Sequence, residues 1–242
     1  MLDWIKRKRK NEIPVLNTDI HSHLLPGLDD GVKSFEEAVE ILWSFVDMGY
    51  KKVITTPHIM QDYYKNDPET IKKKYKELAG LVKDNNIPIE VEVAAEYYFD
   101  ESFCQMIENG SEVLTFGNKF LLFETNFFTA PLNLNEFIFS ATVKGFKLVL
   151  AHPERYQYFL QDMVMAEDLI NRGIFFQINI NSLAGHYGKP IQKLAHKLID
   201  RGWVHFLGSD CHHVNHVGIM KEARETVFYR KACNLDLYNQ TL

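Results

Sequence analysis

His21 and His23 stand one residue apart in NTDIHSHLLPGLDDG, and Asp29, Asp30 and Gly31 follow within eight residues of the second histidine. Alternate side chains of an extended chain share a face, so a His-x-His pair offers two imidazoles to one ion. Groups of the same kind recur down the chain: His58 in TTPH, Glu96 in AAEYY, Glu124 in FLLFET, His152 in AHPERY, and Asp210 and His212 in GSDCHH. Imidazoles and carboxylates with no thiolate among them suit borderline or hard divalent ions such as Mn²⁺, Fe²⁺ or Zn²⁺. The set exceeds what one tetrahedral site requires, so two or three ions are expected, with Glu96 or Glu124 bridging neighbours. A cluster of that kind polarises a phosphoryl oxygen and generates hydroxide near neutral pH.

Singly, these residues have ordinary explanations. One histidine after a strand is commonly a hydrogen-bonded loop residue, and His-x-His arises by chance. Glu96 and Glu124 are harder to explain that way, because a carboxylate closing an apolar run is costly to bury without a cation. The expectation rests on the joint pattern.

For these groups to meet, the elements between them must bring them to one place. Apolar runs of strand length recur as PVLNTDI, KVITT, IEVEVAA, FLLFET, FKLVLA, IFFQINI and WVHFLG. Most are almost continuously hydrophobic, as strands of a parallel sheet covered on both faces should be. Amphipathic helices lie between them. In the first, Ser34 and Glu37 form a capping box, Ala38, Ile41, Leu42 and Phe45 share a face, and Gly49 ends it. In the second, Asp67 is the N-cap, Pro68 opens the helix, and Ile71, Tyr75, Leu78 and Val82 form the stripe. Helices are expected near 101–109, 134–144, 164–172, 189–201 and 216–230, with Gly173 and Gly202 at C-caps.

Strand and helix alternate without a proline- or glycine-rich linker, which predicts a single α/β barrel domain, with an open doubly wound sheet as the alternative. In such a barrel functional groups come from the C-terminal ends of strands. All but one of the predicted strands end in a candidate ligand, on one rim. Residues 1–16 are read as a basic N-terminal arm and 17–242 as the domain.

The 242 residues carry 46% hydrophobic and 24% charged side chains, and no run approaches the roughly 18 apolar residues of a membrane span. The arm, with its basic Lys6 to Lys10, lacks an apolar stretch and cleavage site behind it, so it is not a secretory signal. Its charge suits contact with anionic lipid or a partner. The net charge of -5 opposes general affinity for nucleic acid. Cys104, Cys211 and Cys233 form no Cys-x-x-Cys pair, which suits the reducing cytoplasm, and none is followed by arginine at the spacing of a thiol-phosphatase loop.

Together, DIHSHLLPGLDDG, TPH, AAEYY, FET, AHPERY and GSDCHH resemble the motifs of the PHP (polymerase and histidinol phosphatase) superfamily. Within it, HSHLLPGLDDG with AHPERY looks like the CpsB/CapC type of bacterial manganese-dependent protein tyrosine phosphatase. The resemblance covers about residues 17 to 230. It implies a distorted (β/α)7 barrel, a trinuclear metal centre, and hydrolysis of phosphotyrosine on capsule or exopolysaccharide biosynthesis tyrosine kinases. Carried over by position, it gives His21, His23, Glu96 and Asp210 to one ion, Glu96, Glu124 and His152 to a second, and His58 and His212 to a third. Asp30 then resembles a general acid for the leaving phenolate, and Arg155 a phosphate-binding guanidinium whose plain alternative is a salt bridge to Glu154.

One departure stands out. Many family members have a second arginine soon after Asp-x-His, where this chain reads HHVNHVGIM, leaving His213 or His216 as replacements. His186, His196 and His205 are assigned to structure or surface. Tyr63, Tyr64, Tyr97, Tyr98, Phe127, Phe128 and Tyr156 are candidates to pack on a tyrosyl ring. The competing functions are a phosphatase for a small phosphomonoester such as histidinol phosphate, a nuclease, and a catalytically silent metal-binding module.

Overall fold

The computed structural model describes residues 12–242. Lys6 to Lys10, read above as a lipid or partner contact, lie outside the described residues. The apolar runs form parallel strands. β1 (Thr18–Asp19), β2 (Lys52–Thr55) and β4 (Glu90–Val93) make one sheet in the order β1-β2-β4. β3 (His58–Ile59), β5 (Glu96–Tyr98), β6 (Phe120–Glu124), β7 (Lys147–Ala151), β8 (Phe175–Asn179) and β9 (Phe206–Gly208) make the other, in the order β3-β5-β6-β7-β8-β9.

The runs at 52–59 and 90–98 thus contribute a strand to each sheet, interrupted at Thr56–Pro57 and at Ala94–Ala95. Backbone bonds cross the interruption, from Thr56 N–H to Ser22 O at 2.7 Å and from Glu96 N–H to Pro57 O at 3.2 Å. The far edges meet through a parallel bridge between Ser22 and Cys211, with Asp210 N–H donating to His21 O at 2.8 Å. The architecture is a single-domain distorted (β/α)7 barrel whose ladder is divided between two parallel sheets and does not form a closed ring of strands.

Helices cover the strands: α1 (Phe35–Asp47), α2 (Pro68–Asp84), α3 (Glu101–Asn109), α4 (Leu134–Val143), α5 (Gln157–Gln161), α6 (Val164–Asn171), α7 (Ile180–Leu183), α8 (Lys189–Asp200), α9 (Val214–Glu225) and α10 (Val227–Ala232). Ser34 caps α1 by accepting from Glu37 N–H at 3.3 Å, and Ala38, Ile41, Leu42 and Phe45 are buried as expected. The return bond of the box is redirected: Glu37 Oε2 accepts from Lys33 N–H at 3.0 Å, while Oε1 accepts from Val214 N–H at 3.1 Å and ties α1 to the start of α9. Asp67 caps α2 at Thr70 N–H, 2.7 Å.

The helix expected over 216–230 is instead two. Thr226 leaves helical geometry at ψ 154, and its hydroxyl accepts from Tyr229 N–H at 3.1 Å, so a new N-cap forms where one helix was expected. Both α5 and α7 are too short for an apolar periodicity to reveal them. Inside the barrel, Ile20, Ile54, Ala94, Leu122, Val149 and Phe206 form an apolar cluster drawn from successive strands. Side chains two residues on along a strand point the same way, so Glu124 follows Leu122 inward. Among the described residues no helix is long and apolar enough to cross a membrane.

Candidate metal centre

The expected ligands converge. His21, His23, Glu96 and Asp210 are buried, and His21 Nε2 lies 3.0 Å from Glu96 Oε2 and 3.4 Å from Asp210 Oδ1. His23 Nε2 lies 3.5 Å from each of the same two oxygens. His152 Nε2 is 3.0 Å from Glu96 Oε1 and 3.7 Å from Glu124 Oε2. His58 Nδ1 is 3.2 Å from Glu96 Oε2 and 3.4 Å from Glu124 Oε1. His212 Nε2 and His58 Nε2 stand 3.5 and 3.7 Å from Asp30 Oδ1.

The outward nitrogens decide what the inward ones can do. His21 Nδ1 faces Gln177 Oε1 at 2.7 Å, and His23 Nδ1 faces Asp29 Oδ2 at 2.8 Å. Both partners are acceptors, so each Nδ1 carries the proton and each Nε2 is left with a lone pair. Those lone pairs approach one another at 3.2 Å. Two bare imidazole nitrogens at that separation repel unless a proton or a cation lies between them. His212 follows the same pattern, its Nδ1 facing Asp210 O at 3.0 Å. His58 Nδ1 and His152 Nδ1 are buried without a hydrogen bond. Inward lone pairs, orphaned imidazole nitrogens and carboxylates at every turn fit divalent metal.

Three groups of donor atoms each lie within 4.8 Å of one another: His21, His23 and Glu96; His58, Glu96 and Glu124; and His23, His58 and His212. Glu96 is common to the first two. His58 accompanies the Glu96–Glu124 pair as well as His212, so its share in the cluster is wider than the position-by-position reading gave it.

The charges follow from this crowding. Burial works against the imidazolium of His21 and of His23, yet both pKa values are raised, His21 by Glu96 and Asp210 and His23 chiefly by Asp29. Protons therefore favour the positions a cation would take. Burial opposes the charge of Glu96 and Asp210 too, and the histidines overcome it, holding both well below the usual carboxylate range. Glu124 goes the other way, raised by burial and by the neighbouring Glu96 charge. Burial and the adjacent Arg155 lower His152 to about 4. The neighbouring His212 imidazole, 3.5 Å from its carboxylate, takes Asp30 to about 2.

Backbone strain marks the same place. His152 and Asp210 adopt left-handed φ values of 34° and 49°, unusual for residues with a Cβ. Two glycines permit the close packing: a Cβ on Gly31 would come within 2.3 Å of His23 O, and one on Gly208 within 2.8 Å of His21 Cβ.

Arg155 does not pair with Glu154. Its Nη1 is 3.2 Å from Asp210 Oδ2, and its guanidinium lies over Phe127 at 4.6 Å and Tyr187 at 4.7 Å. Glu154 is fully buried beneath it, where Oε1 accepts from Asn179 N–H at 2.9 Å and Ser182 Oγ at 2.7 Å, and burial raises its pKa to about 7. Arg155, Asp30, His213 and His216 line a cavity of 350 Å³ together with the candidate ligands Glu124 and His212. Both histidines offered for the missing arginine therefore reach that cavity.

Four residues escaped the sequence reading. Asp29, grouped in the sequence with the metal-capable residues but given no role of its own, has a buried side chain and orients His23; it also accepts from His58 N–H at 3.0 Å. Gln177 orients His21, and Asn179 Nδ2 donates to Asp210 Oδ2 at 2.6 Å. Gln177 and Asn179 alternate on β8, in IFFQINI, so two amides facing one way in an apolar strand were a visible signal. Tyr187 is the fourth. Of the proposed aromatic set, Tyr97 and Tyr156 are core residues, Tyr64 stacks on His58 at 5.4 Å, and Tyr63 and Phe128 are exposed.

The sequence profile described as capsular polysaccharide synthesis, CpsB/CapC, matches residues 17–235. CapC of Staphylococcus aureus is 32% identical over 81% of this chain and 77% of its own length. The tyrosine-protein phosphatase YwqE of Bacillus subtilis is 29% identical over the same shares. Among solved structures, one described with YwqE from Bacillus subtilis and CpsB from Streptococcus pneumoniae as metal-dependent tyrosine phosphatases superposes with a TM-score of 0.79, at 27% identity, covering 93% of this chain and 96% of that one. A histidinol phosphate phosphatase of Lactococcus lactis shares the fold at a TM-score of 0.51 and 13% identity, over 87% of this chain and 94% of that one.

Proposed function

The chain belongs to the CpsB/CapC capsular polysaccharide synthesis family, and from that premise we propose that it is a metal-dependent protein tyrosine phosphatase, a phosphoric monoester hydrolase. Its substrate is a phosphotyrosyl protein, read here as a capsule or exopolysaccharide biosynthesis tyrosine kinase in the cytoplasm. The observation that carries the reading is the approach of the His21 and His23 Nε2 lone pairs to 3.2 Å beside Glu96 and Asp210.

His21, His23, His58, Glu96, Glu124, His152, Asp210 and His212 would hold two or three divalent ions, Mn²⁺ first and Fe²⁺ or Zn²⁺ as alternatives. When bound, such ions neutralise charge on the phosphoryl group and activate water. The chain's own groups do the rest. Asp29 and Gln177 hold the imidazoles of His23 and His21 with Nε2 facing inward. Arg155 presents its fork to the phosphoryl oxygens, kept in plane by Phe127 and Tyr187. Asp30, half-exposed at the mouth and held ionised by His212, would have to take up a proton before handing one to the leaving phenolate, and its oxygen also stands where it could complete the His58–His212 group.

The test is turnover after chelation and reloading with Mn²⁺, comparing a phosphotyrosyl peptide with histidinol phosphate. The proposal expects the peptide to be hydrolysed, in a metal-dependent manner, and strongly preferred. Preference for histidinol phosphate would move the chain to small-molecule chemistry, and no turnover of either would make it a silent metal-binding module.

A further inference from the structure

Against the helix that packs on the Arg155 turn, the outer wall of the barrel carries a groove that the rim chemistry does not use. It encloses 450 Å³ over a floor of Phe159, Met163 and Leu194, with Lys189, Lys193 and Lys197 along one side. Residues four apart on a helix share a face, so the three ammonium groups form a stripe down α8. All three are exposed. The lysine ion pairs among the described residues belong to Lys52, Lys72, Lys74 and Lys231, so the stripe carries uncompensated charge.

A lysine stripe alone is an ordinary solvated face. Two things set this one apart: an apolar floor runs alongside it, and its helix begins close in sequence to a residue that lines the site. α8 starts two residues after Tyr187, whose ring lies on the Arg155 guanidinium, and it packs against both the turn that carries Arg155 and α5. Phe159 follows Arg155 by four residues. Phe159 and Lys189 thus tie the near end of the groove to the elements that carry Arg155 and Tyr187. A second rim cavity, of 790 Å³, lies against Asn126 just past Glu124 and is lined by Asp100, Glu101 and Glu108, so it repels an acidic segment.

We infer that the groove along α8 seats the residues flanking the phosphotyrosine of the substrate protein, and that the favoured flank carries acidic side chains with an apolar residue among them. Carboxylates meet the lysine stripe while the apolar side chain covers Leu160 and Met163. This rests on the tyrosine phosphatase reading above. It makes the stripe a determinant of which phosphotyrosines are cleaved, without a part in the chemistry.

The test is the Lys189→Glu/Lys193→Glu/Lys197→Glu variant of the Mn²⁺-loaded full chain, assayed on nitrophenyl phosphate and on phosphotyrosyl peptides with acidic-apolar or with neutral flanks. The inference expects kcat/KM for the acidic-apolar peptide to fall about tenfold, relieved by added salt, while nitrophenyl phosphate and the neutral peptide are unchanged. Leu160→Asp, at the partly exposed edge of the floor, should lower the same peptide selectively. Equal rates for the two peptides in the wild-type chain, or an equal loss on both in the variant, would overturn the inference while leaving the phosphatase reading intact. Wild-type turnover of nitrophenyl phosphate but of no phosphotyrosyl peptide would overturn both. Loss of binding to phosphatidylserine vesicles with peptide kinetics unchanged would reassign the stripe to a membrane surface.

Discussion

Arg155 Nη1 meets Asp210 Oδ2 at 3.2 Å, while the other oxygen of Asp210 faces His21 and His23 at 3.4 and 3.5 Å. One carboxylate therefore joins the expected phosphate-binding arginine to the ligand cluster. It also partly neutralises the guanidinium before substrate arrives, so phosphate competes with Asp210 for one arm of the fork.

Arg155→Ala should keep bound metal and lose phosphate affinity, with inhibition by inorganic phosphate weakened by about tenfold or more. Lysine should substitute only in part, because it lacks the planar fork that lies against Phe127 and Tyr187. Inhibition constants measured on metal-loaded variants check this. An unchanged constant for Arg155→Ala would confine Arg155 to tethering Asp210.

Gln177→Leu should loosen metal at the first ligand group, because nothing then fixes His21 Nδ1 as the protonated nitrogen. The expected loss is on the order of 10- to 100-fold in metal affinity, read by competition with a chromogenic chelator. Retention equal to wild type would mean that Gln177 merely fills the barrel interior.

Asp30→Asn separates a proton donor from a ligand. If Asp30 protonates the departing phenolate, the variant should lose far more rate on phosphotyrosine than on nitrophenyl phosphate, whose leaving group needs little protonation. Equal loss on both, with less metal bound, would place Asp30 with His58 and His212 as a ligand.

The three thiols should be dispensable. Burial raises Cys104 and Cys233 to about 11 and Cys211 further, so each is protonated near neutral pH, and thiolate appears only as pH climbs toward those values. Iodoacetamide near neutral pH should leave turnover intact, with alkylation accelerating as pH rises. A correctly folded, metal-loaded triple Cys→Ser variant should stay active. Loss of turnover in that variant would bring a cysteine back into the chemistry.

Most strands were legible as dense apolar runs, and the convergence of the candidate ligands was legible because imidazoles and carboxylates recur together at successive strand ends, a joint pattern that no single loop histidine makes. What escaped depends on tertiary placement. Asp29 and Asp30 are adjacent and identical, yet the turn allowed by Gly31 buries one against His23 and leaves the other half-exposed. Arg155 could be read locally against Glu154, but Asp210, brought in from the end of β9, is its partner. The break at Thr226 follows from a hydroxyl capping the next helix, which the apolar periodicity of that stretch does not register.

Rim side chains from most of the strands would together hold several divalent ions at once. Elemental analysis of protein purified without chelator, normalised to chain concentration, tests it most directly. About two to three ions per chain are expected, falling together with phosphatase activity on chelation and returning with Mn²⁺. A stoichiometry reproducibly below one, with no activity gained on adding Mn²⁺, Fe²⁺ or Zn²⁺, would contradict it.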